Sequence, residues 1–410
     1  MKFKQKTLNT IQKSELLLQG EFQEIDEVAF FNQEKVLTAF RNQQVAIRHF
    51  TPTTGYGYSD GGRETICKIY AEVFGSDDCI VSPLIASGTH ALTTALFGVL
   101  RPGDRVLSIT GAPYDTLQDA ISGKVPGSFR EYQIEFDLVD LKNDDFDFVE
   151  IQKKLADQKY KMVFLQRSRG YSWRKGLALD QIEKAIAFVK KIQPECVVFV
   201  DNCYGEFTDV KEPTQIGADL MAGSLIKNPG GGLAPTGGYI AGKQGLVNQV
   251  ASRLTSPGIG MEIGSYAAGY RLFYQGFFLA PHTVAQSLKG AKLFSAAMEQ
   301  LGYESMPKYN EKFNDIVCSI KFQKQEELIS FCQTIQKCSP IDSHVVPYPW
   351  DMPGYENQVI MAAGCFVEGS SIELSCDSPI RAPYVAYLQG GLTYEHVKLA
   401  CCNCIEALTD

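Results

Sequence analysis

The chain has 410 residues, 45% of them apolar and 21% charged, and a net charge of -8. That length predicts more than one domain around a large buried core, and the acidic balance excludes the basic footprint of a nucleic-acid binder. No apolar run approaches the ~20 residues of a membrane span, and the first 33 residues lack the apolar stretch of a signal peptide, so a cytoplasmic protein with no membrane partner is expected.

Residues 1–50 predict a polar N-terminal helical arm lying outside the core. From about 76 to 245 strand-like and helix-like segments alternate. A short apolar run over 77–83 is followed by a helix over 87–100, with Ser87 as its cap and a stop signal at 101–104. Strands are expected over 104–110, 129–141, 161–168 and 196–203, with helices over 115–122, 145–158 and 179–192 between them. Short strands follow over 219–227 and 237–243. Such alternation predicts an α/β fold with a mainly parallel sheet, and the β-branched run at 197–200 suits a strand buried on both faces. Later the pattern predicts a long helix over 282–303, a strand over 315–322 and a helix over 326–339. Strands over 359–367 and 370–375 and a closing helix over 394–410 complete it. The expected domains are the arm (1–50), a large α/β domain (51–280) and a smaller C-terminal α/β domain with an antiparallel sheet (281–410).

Twelve cysteines lie in apolar or mixed runs, which suits reduced, buried thiols. Cys401, Cys402 and Cys404 fall in the last helical pattern without a second ligand pair at zinc spacing. Core packing is expected there, and no metal site.

Four features carry chemistry. Gly88 and Thr89 open a predicted helix, where free N–H groups and the helix dipole favour a phosphate. Tyr114 follows a strand, where its ring can stack on a flat cofactor. Asp201 ends the most apolar strand, at the edge where ligands bind in open α/β sheets. Lys227 stands between a short apolar strand and a triple glycine, a setting in which desolvation would lower its pKa and free the amine as nucleophile and base. Each has an ordinary reading on its own: a capped helix, a core aromatic, a turn carboxylate, a solvated lysine. Arg167 and Arg169 follow another strand and suit an anionic group or the protein surface equally. His90 is expected to pack on its helix, and His344 and Trp350 flank Pro-rich chain that forms either a lid or a plain loop.

Taken together, a phosphate turn, a stacking aromatic, a strand-end Asp and then Ser224-x-x-Lys227 resemble the fold-type-I pyridoxal-phosphate enzymes. Within these the chain is similar to the Cys/Met-metabolism group of cystathionine lyases and methionine γ-lyase. It is most similar to the branch called aluminium-resistance or methionine γ-lyase-like proteins. The residues that carry the closer match are 55–64 (GYGYSDGGRE), 87–92 (SGTHAL), 199–207 (FVDNCYGEF), 224–243, 348–384 and 388–397. The resemblance implies that Lys227 holds pyridoxal 5'-phosphate as a Schiff base and that Asp201 pairs with the ring nitrogen. It also implies that Tyr114 stacks on the ring, and that Gly88, Thr89 and Ser224 bind the phosphate. Tyr56 or Tyr58, with Arg63, would reach the phosphate of a neighbouring subunit in a homo-oligomer, a dimer of dimers.

Two departures stand out. The phosphate turn carries Thr89 and His90. The stretch matching the lyases' carboxylate-binding Arg, 387–392, has none, which leaves Arg381, Arg167 or Arg169 for an amino-acid carboxylate. The implied activity is a carbon–sulfur lyase on a sulfur amino acid, by Cα deprotonation and β- or γ-elimination. Transamination, aldol cleavage, γ-replacement or a non-catalytic binder are the alternatives, and keeping both Lys227 and Asp201 argues against the last.

Overall fold

The computed structural model describes residues 3–123, 125–352 and 355–409. Two helices open the chain, α1 (Gln5–Leu17) and α2 (Gln19–Asn42). They are not outside the core as expected: Ile11, Leu18, Ile25, Val36 and Ala39 are buried in the same apolar cluster as the centre of the molecule. α3 (Gly61–Phe74) follows, capped by Asp60, whose carboxylate accepts the Arg63 N–H. The glycine-rich stretch 55–64 runs into its first turn, where Gly62 and Arg63 are buried.

The alternating region then forms as its periodicity predicts. In order come β1 (Asp78–Ser82), α4 (Gly88–Val99), β2 (Arg105–Ser108), α5 (Asp115–Ser122), β3 (Glu135–Leu138) and α6 (Phe148–Asp157). They continue as β4 (Met162–Gln166), α7 (Leu179–Ile192), β5 (Val197–Asp201), β6 (Leu220–Ser224), β7 (Gly238–Gly242) and α8 (Gln244–Leu254). The strands make one seven-stranded sheet of order β1-β7-β6-β5-β4-β2-β3, in which β7 alone runs against its neighbours. The strand expected over 129–141 shrinks to β3. Phe129 instead folds back, its N–H donating to the Ala120 carbonyl and its ring packing edge-on against Phe97.

α9 (Arg271–Gln300) starts well before the predicted position and runs through Pro281. Proline removes one helical hydrogen bond, but Phe273, Tyr274 and Phe277 before it are as deeply buried as Val284 and Leu288 after it, and that burial holds the helix together. The rest is β8 (Glu304–Met306), β9 (Val317–Phe322), α10 (Gln325–Cys338), β10 (Val359–Ala362), β11 (Ser375–Pro379), β12 (Tyr384–Gln389) and α11 (Tyr394–Thr409). These strands form a five-stranded antiparallel sheet, β10-β11-β12-β9-β8. Residues 370–374, expected in a strand, are loop because the Glu373 carboxylate takes the N–H groups of Phe366 and Val367 and closes a turn. Cys401, Cys402 and Cys404 are core residues of α11. Trp350 exchanges backbone hydrogen bonds with Val359 and so extends the small sheet. Residues 353–354, within one of the quoted motifs, lie outside the described residues.

Candidate active site

Apart from β7 the strands of the large sheet point the same way, so their C-terminal ends share one edge. Ligands bind at that edge in open α/β sheets. The turn into α4 follows β1, Tyr114 follows β2, Asp201 ends β5 and Lys227 follows β6. Topology therefore gathers side chains far apart in sequence.

Ser87 caps α4 by accepting the His90 N–H at 3.0 Å, and the N–H groups of Gly88 and Thr89 are left at the open helix end. His90 does not merely pack on the helix: its Nδ1 accepts the Ala86 N–H at 3.0 Å and tightens the turn. A Cβ on Gly88 would come 3.3 Å from the Ser224 Cβ and 3.6 Å from the Cys203 sulfur. A side chain there would be tight, and the close approach places Ser224 beside the helix end. The Thr89 hydroxyl is 2.8 Å from the Tyr114 hydroxyl, which ties the turn to the aromatic ring.

Asp201 is 2% exposed. Its Oδ1 accepts the Cys203 N–H at 3.1 Å, and no ion pair to it is found among the described residues. Burial pushes its carboxyl up, while Lys227 and the Cys203 hydrogen bonds pull the other way. A buried carboxylate without a directly paired cation is costly, so a ring N–H⁺ is a fitting complement. The free helix end, the glycine cradle and this isolated carboxylate all suit pyridoxal phosphate. Burial and then Asp201 push the Tyr114 phenol up, so it stays protonated.

Lys227 Nζ lies 4.0 Å from the centre of the Tyr204 ring. Burial acts to lower its pKa, but Cys203, Tyr204, Asp201 and Tyr114 outweigh it and hold the amine above the ordinary lysine value. The sequence expectation of a lowered pKa is thus reversed among the protein's own groups, because burial comes with acidic neighbours. Tyr204 was not singled out in the sequence. Its φ of 71° is rare for a bulky residue.

The other expected residues divide. Arg169 is fully buried and gripped by Asp315, with NH2 to Oδ1 at 3.0 Å; its NH1 donates to the Met306 carbonyl at 2.6 Å. Arg167 is bound to Asn202, Gly205 and Thr208. Both guanidinium groups are thus engaged by the protein's own groups, although the buried Nε of Arg167 has no partner. Arg381 is exposed and acts electrostatically on Asp115, the residue after Tyr114. Arg63 donates to the carbonyls of Gly57, Gly264 and Glu262, and its buried Nε has no partner. Tyr56 and Tyr58 are 69% and 65% exposed and face each other, ring centres 5.4 Å apart. Among the described residues no hydrogen bond or ring contact joins these three to Lys227 or Asp201 within one copy.

Residues 7–409 match the family described as Methionine gamma-lyase. The chain is 51% identical over 405 residues to the uncharacterized protein YnbB of Bacillus subtilis, covering 97% of this chain and 96% of that protein. It is similar to the solved structure of a carbon-sulfur lyase involved in aluminum resistance from Clostridium novyi NT, with 48% identity and TM-score 0.95 over 98% and 96% of the two chains. A Listeria monocytogenes protein proposed to be a cystathionine beta-lyase involved in aluminum resistance matches at 48% identity and TM-score 0.96, over 98% of this chain and all (100%) of that one. At the level of fold alone, the pyridoxal-5'-phosphate dependent protein YhfS of Escherichia coli superposes with TM-score 0.63 at 15% identity, covering 93% and 97% of the chains. These matches show that the chain belongs to the methionine gamma-lyase family and is a pyridoxal-phosphate-dependent carbon–sulfur lyase.

Proposed function

We propose that the protein cleaves the carbon–sulfur bond of a sulfur amino acid, of the cystathionine β-lyase or methionine γ-lyase type. The observation that supports it best is Asp201, a buried carboxylate without an ion pair, in the same cleft as Lys227. When bound, pyridoxal phosphate supplies an electron sink for the charge that develops at the substrate Cα. Gly88, Thr89 and Ser224 hold its phosphate, and Asp201 keeps a proton on its ring nitrogen. Lys227 Nζ anchors it and takes the Cα proton, with the Tyr204 ring steadying the amine. Tyr114, held neutral by burial and oriented by Thr89, donates a hydrogen bond to the departing sulfur, which takes its proton from the Lys227 ammonium. Arg381 at the cleft mouth binds the substrate carboxylate.

Tyr56 or Tyr58, with Arg63, completes the site of a second copy in a dimer of dimers. The exposed tyrosine pair and the incompletely satisfied Arg63 favour this. A fully active monomer in sedimentation would refute it.

Cystathionine, cysteine, homocysteine and methionine, each assayed for free thiol or sulfide and for 2-oxo acid, test the activity. Pyruvate marks β-elimination and 2-oxobutyrate γ-elimination. Conversion of the amino group without release of sulfur would favour transamination instead.

A further inference from the structure

One acidic group faces this cleft from the small sheet. Asp377 on β11 is paired with Tyr387 on β12, so both side chains leave the sheet on one face, and Gln389 shares it. There Tyr387 packs on Tyr171, ring centres 5.2 Å apart, and donates its hydroxyl to the Tyr171 carbonyl at 2.7 Å. Tyr355 meets Tyr171 at 5.9 Å. Tyr204, the ring beneath Lys227, packs against the same small cluster as Tyr387 and Tyr171. The Asp377 face of the small sheet therefore closes the cleft opposite the large sheet.

Asp377 is partly buried, and Gln389 Nε2 donates to its Oδ2 at 3.2 Å. Lys227 acts on it only at longer range, and no ion pair reaches it among the described residues. Burial pushes its carboxyl up to about 6, with Gln389 and Lys227 drawing it down, so it is ionised at neutral pH. An anion without a cation is costly in such surroundings, and tyrosine faces attract cations. Carboxylate and rings together make a receptor for positive charge.

We propose that Asp377, oriented by Gln389 and walled by Tyr171, Tyr355 and Tyr387, binds a second ammonium on the substrate, one that takes no part in the reaction. The inference rests on the proposed lyase activity of this cleft and narrows its substrates to thioether amino acids with an ammonium at the far end. Lys227 is not that cation, since its amine is occupied with the cofactor and the Cα proton.

The test compares S-(2-aminoethyl)cysteine with S-propylcysteine, which match in length and differ in charge. The wild-type enzyme is expected to favour the aminoethyl compound in kcat/KM by roughly tenfold to a hundredfold, the scale of a hydrogen bond to a charged group. Asp377→Asn keeps an acceptor for Gln389 and should bring the ratio near one. No preference in the wild type, or one that survives Asp377→Asn, overturns the proposal. If neither thioether releases thiol, the lyase reading fails separately, and calorimetry with lysine and norleucine decides this one. Tighter lysine binding that depends on Asp377 supports it, and equal affinities overturn it.

Discussion

The Lys227 amine sits 4.0 Å from the centre of the Tyr204 ring, and that ring is carried by a residue at φ 71°. A strained residue is kept where its side chain is needed, and here it lies against an amine that acts electrostatically on Asp201 and Tyr114. Lys227→Ala should therefore abolish covalent attachment of the cofactor and turnover together. Borohydride reduction followed by peptide mass analysis should find the cofactor on the Lys227 peptide of the wild type and nowhere in the variant. An adduct on another lysine would contradict the assignment.

Asp201→Asn should still bind cofactor, because the phosphate contacts proposed for Gly88, Thr89 and Ser224 would be untouched. It should lose most of its activity, since a neutral amide does not hold a proton on the ring nitrogen. The readouts are cofactor content against kcat. Near-normal kcat would reduce Asp201 to a turn residue that only accepts the Cys203 N–H.

Arg169 ties the loop after β4 to Asp315, just before β9. Arg169→Leu leaves Asp315 buried without its cation and should cost about 3–5 kcal/mol in denaturant unfolding. The double replacement Arg169→Leu/Asp315→Leu should recover part of that loss. A single variant as stable as the wild type would show that the buried pair does not hold the two sheets together.

Arg381→Ala should leave cofactor binding intact and weaken amino-acid substrates by about 2 kcal/mol, the low part of the range for a charge-assisted contact because this guanidinium is exposed. Amines without a carboxylate should not distinguish the two proteins. Unchanged KM and kcat for every amino acid would remove Arg381 from the site.

Glu206 is fully buried beside Tyr239, whose hydroxyl donates to Oε1 at 2.7 Å, while Oε2 has no partner. Burial pushes its carboxyl from 4.5 up to about 8. Between those values the folded chain holds a proton that the unfolded chain has released, so this group's contribution to stability falls as pH rises through that window. Below 4.5 both states are protonated and the contribution is complete. Glu206→Gln should flatten the fall in Tm between pH 5 and 8, and an equally steep profile would show that Glu206 is ionised in the folded protein.

Local pattern was enough to locate the elements of the large sheet and four of its site features. A strand buried on both faces reads as a β-branched run, a capped helix announces itself by Ser87, and ligands gather at strand ends, so Gly88, Tyr114, Asp201 and Lys227 were legible as candidates only when taken together. The tertiary structure decided what spacing in one dimension does not carry. β12 lies between β11 and β9, and that pairing sets which face Asp377 and Gln389 share with Tyr387. Arg169 finds Asp315 across 146 residues, a pairing that no local pattern announces. The direction of the Lys227 shift was also out of reach, because a pKa answers to the neighbours that folding brings within a few ångströms, and Cys203, Tyr204, Asp201 and Tyr114 become neighbours of that amine only when the strand ends align.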